Sequence, residues 1–175
     1  MRGRNIVVVG LAEVRVVKGT DDVLVAYSLG SCVGVALWDP VTLAAGMAHV
    51  VLPSSGGTLA PREKQQVPWL STVQPPGKFA DTAVPHLVDL LLREGSQEGR
   101  LRAWVAGGAH VLKGLDWPGG DIGQANVKAV LEALERRGIG SPRTDVGEDY
   151  GRTMKLYARE GRATVTSVGR AERDI

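Results

Sequence analysis

The sequence predicts an α+β fold, arranged as an α/β/β layered sandwich in which two packed β-sheets carry helices on an outer face. Three observations lead to this prediction. Valine-rich apolar segments dominate the first fifty residues, and several are apolar on both faces, as in strands buried between layers. Two longer stretches have the spacing of amphipathic helices instead. More strand segments follow the second of these stretches, so the helices do not alternate with every strand.

Five strands are predicted before the first helix, separated by turn residues such as Gly10 and Asp39-Pro40. They comprise residues 6–9, 13–17, 23–27, 33–38 and 44–52. The first segment follows two arginines, as a secretion signal would. Its apolar stretch is too short for that role and charged residues follow at once, so a strand is the better interpretation.

Residues 53–77 form a predicted long Pro/Gly-rich loop within a single domain that spans residues 1–175. The segment contains five prolines and has little periodicity. A loop of this length is either a flexible insertion or a lid, and the sequence leaves both alternatives open.

The second half of the chain is predicted to contain both helices. The first covers residues 79–95, with Asp81 as its cap and Pro85 near its first turn. A strand over residues 101–106 ends at Gly107-Gly108, and the second helix covers residues 122–137. Two further strands are predicted over residues 152–157 and 162–168.

Composition excludes several classes of protein. The formal charge of +2 is dispersed along the 175 residues, unlike the basic patch of a nucleic-acid-binding surface. No apolar run approaches the ~18 residues of a membrane-spanning helix, so direct membrane insertion is not expected. We expect a cytoplasmic protein whose thiol stays reduced.

Cys32 is the only cysteine, so it cannot form an internal disulfide and is either a core residue or a nucleophile. A thiol with a pKa of ~8.5 needs a base or a cation to become reactive at neutral pH. His49 is the candidate base. The two side chains can meet if they lie on adjacent antiparallel strands joined around Asp39-Pro40, but spacing alone does not decide between the two roles. Gly30 and Ser31 add unobstructed backbone amides that suit a developing oxyanion.

Blocks around these residues resemble the CheD family of bacterial chemotaxis proteins, which deamidate glutamines on chemoreceptors. The blocks are in family order and cover nearly the whole chain; they are residues 29–35, 46–53, 77–81, 106–109 and 122–126. The resemblance implies that Cys32 attacks a glutamine carboxamide, forming a thioester that water hydrolyses, while His49 transfers the protons. It also implies two partners, the cytoplasmic helices of a chemoreceptor and a CheC-type phosphatase.

No cofactor or metal is expected for this chemistry. His86 and His110 do not have metal-ligand spacing relative to Cys32. We interpret Lys78 and Asp81 as residues that charge and cap the start of the first helix. Gln124 and Asn126 either face the active site or satisfy local backbone donors, and neither is predicted to be catalytic.

One position departs from the family. Its threonine, six residues before the cysteine, orients the histidine, and here that position is Ala26. Ser28 is the preferred substitute for orienting the ring, and Tyr27, a backbone carbonyl or water are the alternatives. A structural role for Ser28, as a strand-end hydroxyl that bonds nearby backbone, is an equally good interpretation. The departure leaves open a weakly active binding module for the receptor or the phosphatase. A different cysteine hydrolase, such as a protease or thioesterase, is a more distant alternative.

Overall fold

The computed structural model describes residues 4–56, 74–111 and 120–175. Ten strands, two α-helices and a short 3₁₀ turn, Glu98–Arg100, occupy these ranges. The strands are β1 Ile6–Val8, β2 Val14–Lys18, β3 Val23–Leu29, β4 Val33–Trp38, β5 Ala44–Val50, β6 Arg102–Gly107, β7 Arg143–Val146, β8 Arg152–Tyr157, β9 Arg162–Ser167 and β10 Arg170–Asp174. The helices are α1 Ala80–Arg93 and α2 Ile122–Arg136.

The strands form two mixed sheets of five strands each within the described residues. The first sheet has the order β1-β3-β8-β9-β10, and the second has the order β2-β5-β4-β6-β7. Strands β1 and β3 pair in parallel, as do β6 and β7, while the other pairs are antiparallel. Both helices pack on the second sheet. The predicted α/β/β layering is therefore confirmed.

The second sheet contributes to two hydrophobic cores, one on each face, because successive side chains of a strand point to opposite faces. On β4, Val33, Val35 and Leu37 face the helices, whereas Ala36 and Trp38 pack between the two sheets. Every residue of β4 and β5 is buried. This is the arrangement predicted from segments that are apolar on both faces.

Two strands, β7 and β10, were not predicted, because their sequences carry little apolar signal. They read Arg-Thr-Asp-Val and Arg-Ala-Glu-Arg-Asp. Each forms one edge of its sheet. Charged side chains are common on edge strands, where they oppose pairing with other chains.

The start of α1 differs from the prediction that Asp81 caps the helix. Phe79 is the residue at the N-cap, with no side-chain hydrogen bond to the helix, and Asp81 lies in the first turn. The Asp81 carboxylate accepts hydrogen bonds from the Ser54 hydroxyl at 3.1 Å and from the Ser55 amide at 2.9 Å. The capping prediction is therefore wrong, and the acidic residue instead holds the chain that follows β5.

The predicted loop over residues 53–77 falls largely outside the described residues, which exclude 57–73. At its far end the Gly77 amide donates to the Ala12 carbonyl at 2.9 Å, which brings the start of α1 beside the turn that joins β1 to β2. The single-domain organisation stays a prediction. No helix within the described ranges is long and apolar enough to cross a membrane.

Candidate active site

Cys32 lies in the turn where the chain passes from the first sheet to the second, between β3 and β4. The pairing of β3 with β8 is irregular between Ala26 and Leu29, and Ser28 has a positive φ of 56°. This irregularity directs Leu29 into the core and leaves Tyr27 and Ser28 exposed. Cys32 is half-buried and packs against the core between the sheets.

His49 lies on β5, the antiparallel neighbour of β4, and pairs with Gly34. Cys32 precedes Gly34 by two residues, so it is a diagonal neighbour of His49 on the same face of the sheet. Diagonal neighbours have Cα atoms roughly 7–8 Å apart and side chains that can approach more closely. The predicted turn-back around Asp39-Pro40 is confirmed, with the Asp39 amide donating to the Ala44 carbonyl at 3.0 Å. Gly34, opposite His49, leaves room on this face for Met154 and Leu29, since a Cβ there would lie 2.9 Å and 3.0 Å from their side chains.

The His49 ring is oriented by the backbone of Val9. Its Nδ1 lies 3.2 Å from the Val9 carbonyl oxygen. Because a carbonyl can only accept, Nδ1 carries the hydrogen and the neutral ring has its lone pair on Nε2. Nε2 is buried and has no hydrogen-bond partner among the described residues. The tautomer is therefore the one in which Nε2 can accept a proton.

Burial keeps both candidate catalytic groups neutral. Burial raises the pKa of the Cys32 thiol above its usual value. Burial also lowers the pKa of the His49 imidazole below 6.5, and the hydrogen bond to Val9 opposes this shift. Because each change disfavours the charged form, the resting state has a neutral thiol and a neutral imidazole, with no hydrogen bond between the Cys32 thiol and Nε2 of His49. The thiol then needs to lose its proton as it reacts.

A second loop holds the Cys32 turn from the other side. The Gly108 amide donates to the Cys32 carbonyl at 2.8 Å, and the Ala109 amide donates to the Gly30 carbonyl at 2.7 Å. Gly107 has a φ of 108°, and a Cβ there would collide with the Cys32 carbonyl oxygen. A Cβ on Gly123 of α2 would lie 2.6 Å from the Gly108 carbonyl oxygen. Glycines thus allow the loop and the helix to approach closely.

The backbone amides of the turn differ in their partners among the described residues. The Gly30 amide donates to the Ser28 carbonyl at 2.9 Å. In the described part of the chain, the amides of Ser31 and Cys32 make no hydrogen bond. Gly30 lets Val111 pack closely against the turn, since a Cβ at residue 30 would lie 3.1 Å from the Val111 side chain. The arrangement leaves two adjacent N–H groups beside the thiol.

Ala26, at the position of the family's threonine, and Ser28, its predicted substitute, occupy different surroundings. Ala26 is fully buried in the core between the sheets, and Ser28 is exposed at the irregularity of β3. The observed contact of Nδ1 is with the Val9 carbonyl, one of the alternatives that the sequence left open. The orienting role of Ser28 stays a prediction.

Sequence reasoning left Asn126 on α2 either facing the active site or satisfying local backbone donors, and it did not predict that its side chain donates to two carbonyls. Its Nδ2 donates to the Ser31 and Val51 carbonyls, each at 2.9 Å. A signal was present: Asn126 precedes Val130 and Leu134 by one and two helical turns, so a polar residue occupies the buried stripe of the helix.

The other predicted polar residues have hydrogen-bond partners of their own. His110 hydrogen-bonds Asp121, the N-cap of α2, through Nδ1. Lys78 donates to Gln74 at 2.8 Å, and the Gln124 amide donates to Asp121 at 3.0 Å. Among the residues that the structure describes, no group of three or more His, Cys, Asp or Glu side chains is placed to hold a metal ion.

Comparison with known proteins places this arrangement in one family. The sequence model described as "CheD chemotactic sensory transduction" matches residues 61–167. A probable chemoreceptor glutamine deamidase CheD of Symbiobacterium thermophilum is 43% identical over 177 residues, covering 100% of both chains. The chemoreceptor glutamine deamidase CheD of Thermotoga maritima is 38% identical over 165 residues, covering 94% of both chains.

Among solved structures, the hypothetical protein YfiH of Bacillus licheniformis matches with a TM-score of 0.44 and 14% identity, covering 76% of this chain and 50% of that chain. A likeness this low supports no argument.

Proposed function

Because the chain belongs to the CheD family, we propose that it hydrolyses the side-chain amide of specific glutamines on chemotaxis receptors, with Cys32 as nucleophile and His49 as general base and acid. The observation that carries this proposal is the orientation of the His49 ring by the Val9 carbonyl. Its Nδ1 donates to the Val9 carbonyl, so the lone pair of the neutral ring is on Nε2. His49 also lies on the same face of the sheet as Cys32. A base in that position can take the thiol proton without a prior charge on either group.

The first half of the reaction forms a thioester. Nε2 of His49 takes the thiol proton while the sulfur of Cys32 bonds to the carboxamide carbon of the glutamine. The negative charge that develops on the carboxamide oxygen is stabilised by the amides of Ser31 and Cys32. When the carbonyl re-forms, the carbon–nitrogen bond breaks and the imidazolium of His49 gives its proton to the departing ammonia.

The second half releases glutamate. Nε2 removes a proton from a water molecule, whose oxygen bonds to the thioester carbon. The carbon–sulfur bond then breaks, and the imidazolium returns the proton to the sulfur of Cys32. Each proton passes through the same nitrogen, so a fixed ring orientation matters in both halves.

The receptor helix is the proposed substrate, and two exposed aliphatic side chains fit it. Leu11, 67% exposed, lies in the turn beside Ala12, whose amide donates to the His49 carbonyl at 3.0 Å. Val111, 41% exposed, packs against Gly30 beside the Cys32 turn. One is thus next to a residue bonded to the His49 backbone and the other next to the Cys32 turn, as anchors for the apolar side chains of an amphipathic helix would be. The family resemblance adds a CheC-type phosphatase as a second occupant of this face.

The test of the proposal compares the chain with its Cys32→Ala variant on a purified receptor cytoplasmic fragment. With the unaltered chain we expect ammonia release and conversion of glutamine to glutamate. With Cys32→Ala both signals should stay at background. His49→Ala should lower the rate by about 10²- to 10⁴-fold, as expected when a general base is lost.

Binding of the same fragment, measured in parallel, separates the two candidate functions. Cys32→Ala should bind the receptor as the unaltered chain does, because the thiol is not needed for docking. Equal ammonia release by the two proteins, together with retained binding, would contradict the enzyme and favour the binding module.

A further inference from the structure

Asn126 joins the two chain segments that carry the candidate catalytic residues. Its side-chain nitrogen donates to the carbonyl of Ser31, which precedes Cys32, and to the carbonyl of Val51, which follows His49 by two residues. Both distances are 2.9 Å, and the Asn126 residue is fully buried. One nitrogen of α2 thus bridges a turn and a strand end that are distant in sequence.

The bridge lies where the pairing of the two strands ends. The last pair of the β4–β5 ladder at this end is Val33 with Val50. One step further the ladder would place Cys32 opposite Val51, but the chain turns there towards the first sheet. Asn126 holds the two segments together at that step in place of a ladder hydrogen bond.

Few side chains can make this bridge. Two carbonyl oxygens need two donors, and the amide nitrogen of asparagine has two hydrogens on one atom. The Asn126 Oδ1 is buried without a hydrogen-bond partner among the described residues. A buried unpaired acceptor is unfavourable, and an apolar side chain would avoid it. An asparagine at this position is therefore explained by its two donors.

The helix that carries Asn126 is itself fixed against the site. Gly123, one turn earlier, lies so close to the Gly108–Ala109 loop that a Cβ would be 2.6 Å and 2.7 Å from their carbonyl oxygens. That loop donates to the carbonyls of Gly30 and Cys32. The position of α2 is thus set by the same turn that Asn126 contacts.

We propose that Asn126 is a positioning residue of the active site, whose two hydrogen bonds set the separation of the Cys32 thiol from Nε2 of His49. This inference rests on the proposed function, because it concerns the geometry of the same pair. Loss of the bridge releases the Cys32 turn from the end of β5. The reaction should then slow although both catalytic side chains are still present.

The experiment compares Asn126→Ala and Asn126→Asp with Val130→Ala, a matched control. Val130 is also fully buried on α2 but faces the core beneath the second sheet. Asn126→Asp keeps the shape of the side chain and, when ionised, has no donor. For each variant the melting temperature, kcat and KM for receptor deamidation, and the alkylation rate of Cys32 by iodoacetamide are measured.

We expect Asn126→Ala to lower kcat by about 10²-fold, the loss typical of a small misplacement of reacting groups. KM should change little, and Val130→Ala should keep kcat within about threefold, since Val130 packs in the core between the helices and the second sheet, whereas Cys32 packs in the core between the two sheets. Alkylation in Asn126→Ala should fall to the rate of His49→Ala, whereas Val130→Ala should alkylate as the unaltered chain does. Asn126→Asp should behave as Asn126→Ala.

Equal losses of kcat and alkylation in Asn126→Ala and Val130→Ala would overturn the proposal, and so would a fully active Asn126→Asp. If Asn126→Asp does not fold, the comparison of the two alanine variants decides. Absence of deamidation by the unaltered chain would refute the proposed function instead. Alkylation would still report in that case whether Asn126 holds Cys32 against His49.

Discussion

Replacement of Ala26 by threonine tests whether the Val9 carbonyl already orients His49. The family's threonine position is alanine here, yet Nδ1 of His49 has a hydrogen-bond acceptor at 3.2 Å. Neutral Nδ1 has one hydrogen, so an added hydroxyl would have to displace Val9 or share its bond. We therefore expect Ala26→Thr to bring little gain in activity.

The cost in stability follows from the position of Ala26. The side chain is fully buried in the core between the sheets, and threonine adds two heavy atoms to it. Overpacking of this kind costs about 1–3 kcal/mol. For a domain of this size each kcal/mol lowers the melting temperature by about 2–4 °C, so the expected decrease is about 2–12 °C.

Ala26→Val is the matched control, because valine has the shape of threonine without the hydroxyl. The two variants are compared by melting temperature and by kcat for receptor deamidation. Ala26→Thr should have a lower melting temperature than Ala26→Val, because its buried hydroxyl lacks a hydrogen-bond partner. The kcat values of the two variants should agree within about threefold.

A kcat for Ala26→Thr that exceeds that of Ala26→Val by tenfold or more, about 1.4 kcal/mol of activation free energy, would refute this reasoning. It would mean that the ring needs the hydroxyl and that Val9 does not orient it fully.

Two further predictions concern pH and substrate binding. Because burial lowers the pKa of His49, kcat/KM should fall with acid only below pH 6.5, and a midpoint at or above that value would contradict this. As the pH falls, His49 of the unfolded state binds a proton before His49 of the folded state does. The contribution of His49 to the free energy of unfolding is therefore present above pH 6.5 and is lost as the pH falls through the lower pKa of the folded state. Denaturation measured as a function of pH should show this loss. Leu11→Ser and Val111→Ser should each raise KM for the receptor about tenfold with kcat unchanged. Val168→Ser, at an exposed valine in the turn after β9, should leave KM unaltered, and an equal effect there would count against the proposed docking face.

Much of the fold could be predicted because burial leaves a local pattern. The strands around Val33 and Ala44 are apolar on both faces because helices cover one face and the other sheet covers the second. The ends of α2 follow from helix spacing and from Gly138. The edge strands β7 and β10 escaped prediction because their charged side chains meet solvent rather than a core.

The candidate site was predicted where it depends on side-chain type. The Cys32 and His49 pair and the glycines of the turn have chemistry that the sequence displays directly. The contact of Val9 could not be predicted, since every residue has a carbonyl and only the path of the chain directs one towards a given ring. The bridge of Asn126 depends likewise on how closely α2 approaches the second sheet.

The sequence by itself determined the layered α+β class, the family and the two groups proposed to carry out amide hydrolysis, because these depend on local pattern and residue chemistry. Only the tertiary structure decided which nitrogen of His49 is free and what ties the Cys32 turn to the end of β5. The physical reason is that the hydrogen bonds accepted by the Val9 carbonyl and donated by the Asn126 amide join segments far apart in the chain. Their distances are fixed by the packing of two sheets and a helix rather than by any neighbouring residue.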